Sequence, residues 1–254
     1  MMRFRLRRDR AERAPRPELD AAYQPQLDAR LAQASPLVTD EAVRARVEAS
    51  PAGYALAHTA GDIARHATLL EPLPLSEEVR VISTPGREPG TWNLDIAAFD
   101  QPGLLAKFTG VLVHESIEIV RAVLATWDDG AALQALVVKA DAEPDVVALQ
   151  RALVWSLDQG MSAPPVDGTS VYFDQQASSL YTACKVTGPD RPGLLHAIAV
   201  AITNAGADIH AASVETQNGL AVDRFDLSDA AHRKVTDDVR RAIARNLQTG
   251  YSGR

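Results

Sequence analysis

Asp190-Arg191-Pro192-Gly193-Leu194-Leu195 repeats, 90 residues on, the stretch Asp100-Gln101-Pro102-Gly103-Leu104-Leu105, and this duplication decides the fold. Each copy follows a β-like run and opens a helical pattern, so the chain twice builds a strand, a tight turn and a helix start. The register is expected to hold without a gap beyond the motif: Glu118 and Ile119 fall opposite Asp208 and Ile209, and Asp128 falls opposite Asn218-Gly219. Pro fixes φ near the helix start, Gly permits close backbone approach, and Asp100 or Asp190 is placed to cap the first-turn N–H groups. Those N–H groups, at the positive end of the helix dipole, also suit a carboxylate or phosphate. A capped turn alone accounts for one copy; duplication points toward a site.

The elements around the motifs follow from periodicity. Thr91 to Phe99 reads as a strand, and Leu104, Leu105, Phe108, Val111 and Leu112 form a helical stripe. Ile117 to Trp127 and Ala131 to Val138 read as strands joined through Asp128-Asp129-Gly130, and Pro144 opens a helix with Val146, Leu149, Leu153 and Leu157 on one face. In the second copy Leu194, Leu195, Ile198 and Ile202 face inward, Asn218-Gly219 is a hairpin turn, and Val235, Val239, Ala242, Ile243 and Leu247 stripe the last helix. Only seven residues follow Leu247, too few for a fourth strand, so Thr169 to Asp174 serves one repeat or the other.

Upstream, residues 1–35 carry seven Arg by position 16 and are expected to form a disordered basic extension. A helical segment is expected over 36–80, with Val43 and Val47 one turn apart and Ile63, Ala67 and Leu70 on one face. Thr59 and Asp62 have the spacing of a capping box, and Pro72 and Pro74 end the helix. His58, Asp62 and His66 have i, i+4, i+8 spacing, but the cap leaves His58 outside the helix and two ligands are too few for a metal. A solvated face is expected there.

Composition narrows the classes. A 254-residue chain with 46% hydrophobic residues supports two or three small domains. With aromatics at 5%, Ala, Leu and Val must supply most of the packing. A formal charge of −7 argues against general nucleic-acid binding. The single Cys184, in an apolar run, forbids an intrachain disulfide and suits a buried thiol in a reducing cytoplasm. No apolar run approaches the ~18 residues of a membrane span, and the N-terminus lacks a signal peptide's apolar core.

Each repeat, read as strand, Asp-x-Pro-Gly-Leu-Leu, helix, strand, hairpin, strand and helix, resembles the ACT domain, a βαββαβ small-molecule-binding module. The second copy is closer still, through Phe173-Asp174-Gln175-Gln176-Ala177-Ser178, Tyr181-Thr182, Gly188-Pro189-Asp190-Arg191-Pro192-Gly193-Leu194-Leu195, Ala207-Asp208-Ile209-His210-Ala211-Ala212 and Ala221-Val222-Asp223-Arg224-Phe225. These stretches are similar to the C-terminal tandem ACT region of the bifunctional PII uridylyltransferase/uridylyl-removing family, from about Thr91 to Leu247. Upstream the likeness is confined to Tyr54-Ala55-Leu56-Ala57-His58-Thr59 and Asp62-Ile63-Ala64-Arg65-His66, similar to the helical segment before that family's ACT pair. The resemblance implies an α+β fold of two tandem ferredoxin-like βαββαβ domains, over 88–174 and 175–250, after a short helical segment. The family's paired metal-binding Asp residues after a Gly-Ser turn, and its His-Asp dipeptide, have no counterpart in this sequence, and no cofactor or metal is expected.

The resemblance therefore implies a non-catalytic regulatory protein that binds an amino acid, glutamine first, and passes the signal to a partner in nitrogen or amino-acid metabolism. The ligand carboxylate would sit on N–H groups around Gly193, with Arg191, Pro192, Leu194 and Leu195 beside it and Asp190 and Asp208 as candidates for the ammonium. In ACT pairs the first motif of one domain meets the second strand of its neighbour, which brings in Ile209 and His210. Asp100, Gln101, Gly103 and Leu104 form the matching first site, where Gln101 replaces Arg and a structural role suffices. A protein partner and a homodimer are compatible with this reading; nucleic acid and membrane are not expected. Two alternatives stand beside it. One is a ligand-free ACT scaffold for dimerisation or docking, and the other is a truncated enzyme of the same family working through His58, Asp62 and His66.

Overall fold

In the computed structural model, which describes residues 23–252, four short helices lead into the repeats: α1 (Gln24–Ala34), α2 (Glu41–Glu48), α3 (Ala52–Ala57) and α4 (Ala60–Leu70). The Asp40 carboxylate accepts from the amides of Ala42 and Val43 to start α2, and Thr59 with Asp62 forms the expected capping box on α4. Val43, Val47, Ile63, Ala67 and Leu70 are all buried, as their helical spacing requires. α1 corrects the expected extension from Gln24 onward: Leu27 and Ala34 bury against the other helices, and that burial holds the segment in place. The Arg-rich stretch of the expected extension, residues 1–22, lies outside the described residues.

His66 overturns the expected solvated face. It is 1% exposed, with Nε2 3.1 Å from Asp95 Oδ2 and Nδ1 2.8 Å from the Tyr54 hydroxyl, while Arg65 pairs with the same Asp95. His58 does lie between α3 and α4, its Nδ1 2.9 Å from the Tyr54 carbonyl.

The repeats comprise β1 (Val79–Pro85), β2 (Thr91–Phe99), α5 (Leu104–His114), β3 (Glu118–Thr126), β4 (Ala131–Lys139), α6 (Val146–Ser156), β5 (Ser162–Ala163) and β6 (Ser170–Asp174). They continue through β7 (Thr182–Pro189), α7 (Leu194–Asn204), β8 (Ala207–Gln217), β9 (Leu220–Asp229), α8 (Asp237–Thr249) and β10 (Tyr251–Ser252). Eight strands form one antiparallel sheet in the order β1-β2-β4-β3-β8-β9-β7-β6, and β10 pairs with β5 in a small second sheet. The fold is the expected α+β architecture of two ferredoxin-like units.

The edge strands come from an unexpected side. The strand near 169–174, whose owner the sequence leaves open, is β6 and pairs with β7, as β1 pairs with β2. Each repeat therefore runs β-βαββ-α, with the fourth strand supplied before the first motif instead of after the last helix. The repeats accordingly start at Val79, within the stretch expected to be helical to 80, and at Ser170, inside the expected first domain. Val81 pairs with Ile96, and Val171 with Val186, so the 90-residue offset covers the edge strand as well.

The gapless register fails at the hairpins. Asn218-Gly219 is a two-residue turn with φ of 53° and 76°, whereas the first hairpin turns through Asp128-Asp129-Gly130. Ile96 thus pairs with Gln134, but Val186 pairs with Asp223, 89 residues beyond Gln134. Asp223 occupies the place of Gln134.

Between the repeats β3 runs antiparallel to β8, with Arg121 opposite Glu215, Val123 opposite Ser213 and Ala125 opposite Ala211. Val123 and Ser213 are themselves equivalent residues, so a local twofold axis passes between them. The repeat helices cover one face, burying Phe108, Leu112, Ile198 and Ile202 among the sheet's inward residues. On the opposite face α1–α4 cover the first repeat only, through Ala97, Trp127 and Leu133.

Arg46 fastens that helical layer. Its guanidinium donates to both Asp129 oxygens at 2.8 and 2.7 Å and to Glu71 at 2.8 Å. Burial alone would raise the Asp129 carboxyl pKa, but the hydrogen bonds and charge of Arg46, with the Ala131 amide, outweigh it and hold it below the ordinary value. A depressed folded pKa contributes stability above about pH 4 that is lost as pH falls through the folded value. Amide protection relative to the unstructured chain at the same pH is therefore expected to fall in α2 and α4 between pH 5 and 3 before it falls in α5 and α7. Arg46→Met should bring that loss of protection to pH 7; uniform exchange across all four helices would contradict it.

Candidate functional site

The two motifs share one backbone geometry. Gly103 and Gly193 each have φ of 78°, a left-handed conformation that glycine takes without strain, and each precedes the helix, α5 or α7, without a side-chain cap. The aspartates do not cap the helices as expected. Their amides donate to the carbonyls of Gly130 and Gly219 in the hairpin turns, and Asp190 Oδ2 accepts from Thr216 Oγ1 at 2.6 Å. The duplicated Asp thus ties motif to hairpin, and the first turns of α5 and α7 keep backbone amides for something else.

Because β3 and β8 pair across the twofold, each motif meets the second strand of the other repeat. Asp100, Gln101, Gly103 and Leu104 face Thr203, Asp208, Ile209 and His210 around a cavity of about 30 Å³, room for little beyond a water. Asp190, Arg191, Pro192, Gly193, Leu194 and Leu195 face Val113 and the start of β3, Ser116 to Ile119, around about 360 Å³, the lower range of small-molecule pockets. The expected grouping of Gly193 with Asp208, Ile209 and His210 is therefore corrected: those three belong with the first motif. Asp208 Oδ1 accepts from the Ile209 amide, and His210 Nε2 lies 2.8 Å from Ser228 Oγ with its ring stacked on Tyr181.

Packing explains why one cavity is closed. A Cβ at Gly103 would come within 3.1 Å of both Met161 and Thr203, whereas one at Gly193 would meet only Val113, at 3.7 Å. Val113 and Thr203 are equivalent residues; Met161, from the segment after α6, is the extra plug.

The open cavity is acidic and holds residues that sequence reasoning passed over. Asp190, Glu118 and Asp223 all line it, and Arg191 donates outward to the Pro165 carbonyl at 3.3 Å. Asp223 is 1% exposed, and its Oδ1 has no hydrogen-bond partner. Burial first, and the like charge of Asp190 second, push its carboxyl up to about 7 against a lowering hydrogen bond from the Glu215 amide. The sequence does hold a signal for it. Ala221, Phe225 and Leu227 form the inward row of β9, and Asp223 is the charged member of that row.

A cavity of about 640 Å³ lies on the sheet's other face, between α3 and β8–β9, near Tyr54, Trp127, Tyr181, Arg224 and Asp226; neither motif glycine reaches it. Burial pushes the Cys184 thiol up to about 12, which suits a structural thiol. Among the described residues no group of three or more His, Cys, Asp or Glu is placed to hold a metal, and no helix is long and apolar enough to cross a membrane.

No family model matches the chain. The bifunctional uridylyltransferase/uridylyl-removing enzyme of Gluconobacter oxydans is 32% identical over 190 residues, covering 66% of this chain and 20% of that one. The Rhodospirillum rubrum enzyme of the same name is 28% identical over 213 residues, covering 70% and 22%. That of Phenylobacterium zucineum reaches 40% over 80 residues, covering 32% and 8%. The chain thus spans about a fifth of the length of the first two. The chain is similar to a part of that enzyme, and its two ferredoxin-like units have the fold that the resemblance to a tandem ACT pair implies.

Proposed function

We propose that this chain is a non-catalytic regulatory module that binds a free amino acid in the cavity between the second motif and β3 and signals to a protein partner in nitrogen or amino-acid metabolism. One observation carries the reading: of two symmetry-related cavities at the repeat interface, the one beside Gly193 is open at about 360 Å³ and has the uncapped α7 N-terminus on its wall. A carboxylate fits those amides and the helix dipole, and the acidic groups opposite fit an ammonium. Glutamine is the first choice, by resemblance. The His58, Asp62 and His66 alternative has no support here, since His66 is occupied by Asp95 and Tyr54.

The test is a thermal-shift screen of the twenty amino acids on the full chain. A ligand that binds only the native state at 100 times its Kd adds about 2.7 kcal/mol and raises the melting temperature by several degrees. A flat response to all twenty, at millimolar concentration, would leave the scaffold reading in its place.

A further inference from the structure

We propose that Asp223, with Asp190 beside it, is the ammonium-recognising end of the open cavity, so that a primary-amine ligand displaces a proton from Asp223 as it binds. This deepens the preceding reading and rests on it. The geometry comes first: Asp223 is 1% exposed, lines the cavity, and keeps Oδ1 without a partner. A buried carboxylate oxygen left unpaired is costly unless a donor arrives or the group stays protonated. Its structural counterpart Gln134 lines the closed cavity at 2% exposure, also with an unpartnered oxygen, so the open site differs by carrying an acid where the closed one carries an amide.

Among the described residues no side-chain cation is paired with Asp223. Facing Asp223 across the cavity are Asp190 before α7, Glu118 at the start of β3, Arg191 and His196. The Arg191 guanidinium reaches Pro165, and the His196 ring nitrogens lie 2.9 Å from the carbonyls of Ala106 and Ser162. The Glu215 amide from β8 is the donor already on the Asp223 carboxylate. Binding then balances as Asp223-COOH plus R-NH3+ giving the carboxylate–ammonium pair and one proton to solvent. With the free carboxyl at about 7, only about a tenth is ionised at pH 6 and most at pH 8, so the apparent Kd weakens about tenfold on that descent.

Calorimetry of the full chain decides it, using the twenty L-amino acids at pH 6 and pH 8 in two buffers of different ionisation enthalpy, with the 2-hydroxy acid counterpart of each binder. The expected result is binding about tenfold tighter at pH 8, proton release to buffer near pH 7, and at least tenfold weaker binding of the hydroxy acid. Asp223→Asn should lose at least tenfold in affinity together with the pH step and the proton release, and its melting temperature at pH 8 should equal or exceed the parent's. Asp223→Gln, which installs the residue of the closed site, should behave the same way. An amino acid that binds Asp223→Asn as tightly as the parent, with no proton release, would overturn this inference and leave the amino-acid reading intact. Failure of all twenty to bind at either pH would overturn both.

Discussion

Trp127→Ala is expected to cost about 3–5 kcal/mol, the range for emptying a fully buried large aromatic site. Trp127 is the joint between the helical layer and the sheet: its ring meets Tyr54 edge-on at 5.0 Å, and its Nε1 donates to the Arg46 carbonyl at 3.3 Å. Tyr54 in turn holds His66 against Asp95, so the cavity left by the indole adjoins a buried polar cluster that can admit water. The loss should be local. Denaturant titration should give the reduced stability, amide exchange should accelerate in α1–α4, and α7 should stay protected, since its core belongs to the repeat helices. Amino-acid affinity at the cavity beside Gly193 should stay within about threefold, below the tenfold that corresponds to roughly 1.4 kcal/mol. A stability loss under 1 kcal/mol would mean that the layer is not fastened there.

Most of the architecture was written in local patterns. The duplicated Asp-x-Pro-Gly-Leu-Leu marked both helix starts, the Asn218-Gly219 turn marked its hairpin, and Leu149, Leu153, Ile243 and Leu247 marked the faces that are buried. Three features depended on distant contacts and had no local mark. The edge strand Val79–Pro85 lies beyond the loop that follows α4, and nothing in its composition says that it pairs forward with β2. The crossing of each motif onto the other repeat's second strand follows from the β3–β8 register, a pairing between residues some 90 apart that no neighbour in sequence signals. His66 kept a helical spacing compatible with solvent, and its burial is decided by Asp95 on a different element. Asp223 was the legible exception, a charge in an apolar row, and its weight emerged once the cavity was seen in front of it.

The two motif glycines should separate ligand binding from stability. Gly193→Val and Gly103→Val both force a branched residue to φ of 78°, a left-handed conformation that costs a non-glycine residue roughly 1–2 kcal/mol. At Gly103 the new Cβ also lands 3.1 Å from Met161 and Thr203, so that variant should be the less stable of the two, by about 1–3 kcal/mol of overpacking. At Gly193 the Cβ has room, 3.7 Å from Val113, but its methyls enter the cavity in front of the uncapped α7 amides. Affinity for the amino acid should therefore fall more than tenfold in Gly193→Val and little in Gly103→Val, measured by calorimetry at pH 8 on chains first shown to be folded. Asp190→Ala belongs in the same series. It removes the Thr216 bond and one of the acidic groups around the ammonium without touching a helix cap, so a loss of affinity without a drop in α7 helicity is the expected sign. Equal affinity in the Gly193→Val variant and the parent would place the ligand elsewhere on the protein, and the cavity on the opposite sheet face would become the next place to look.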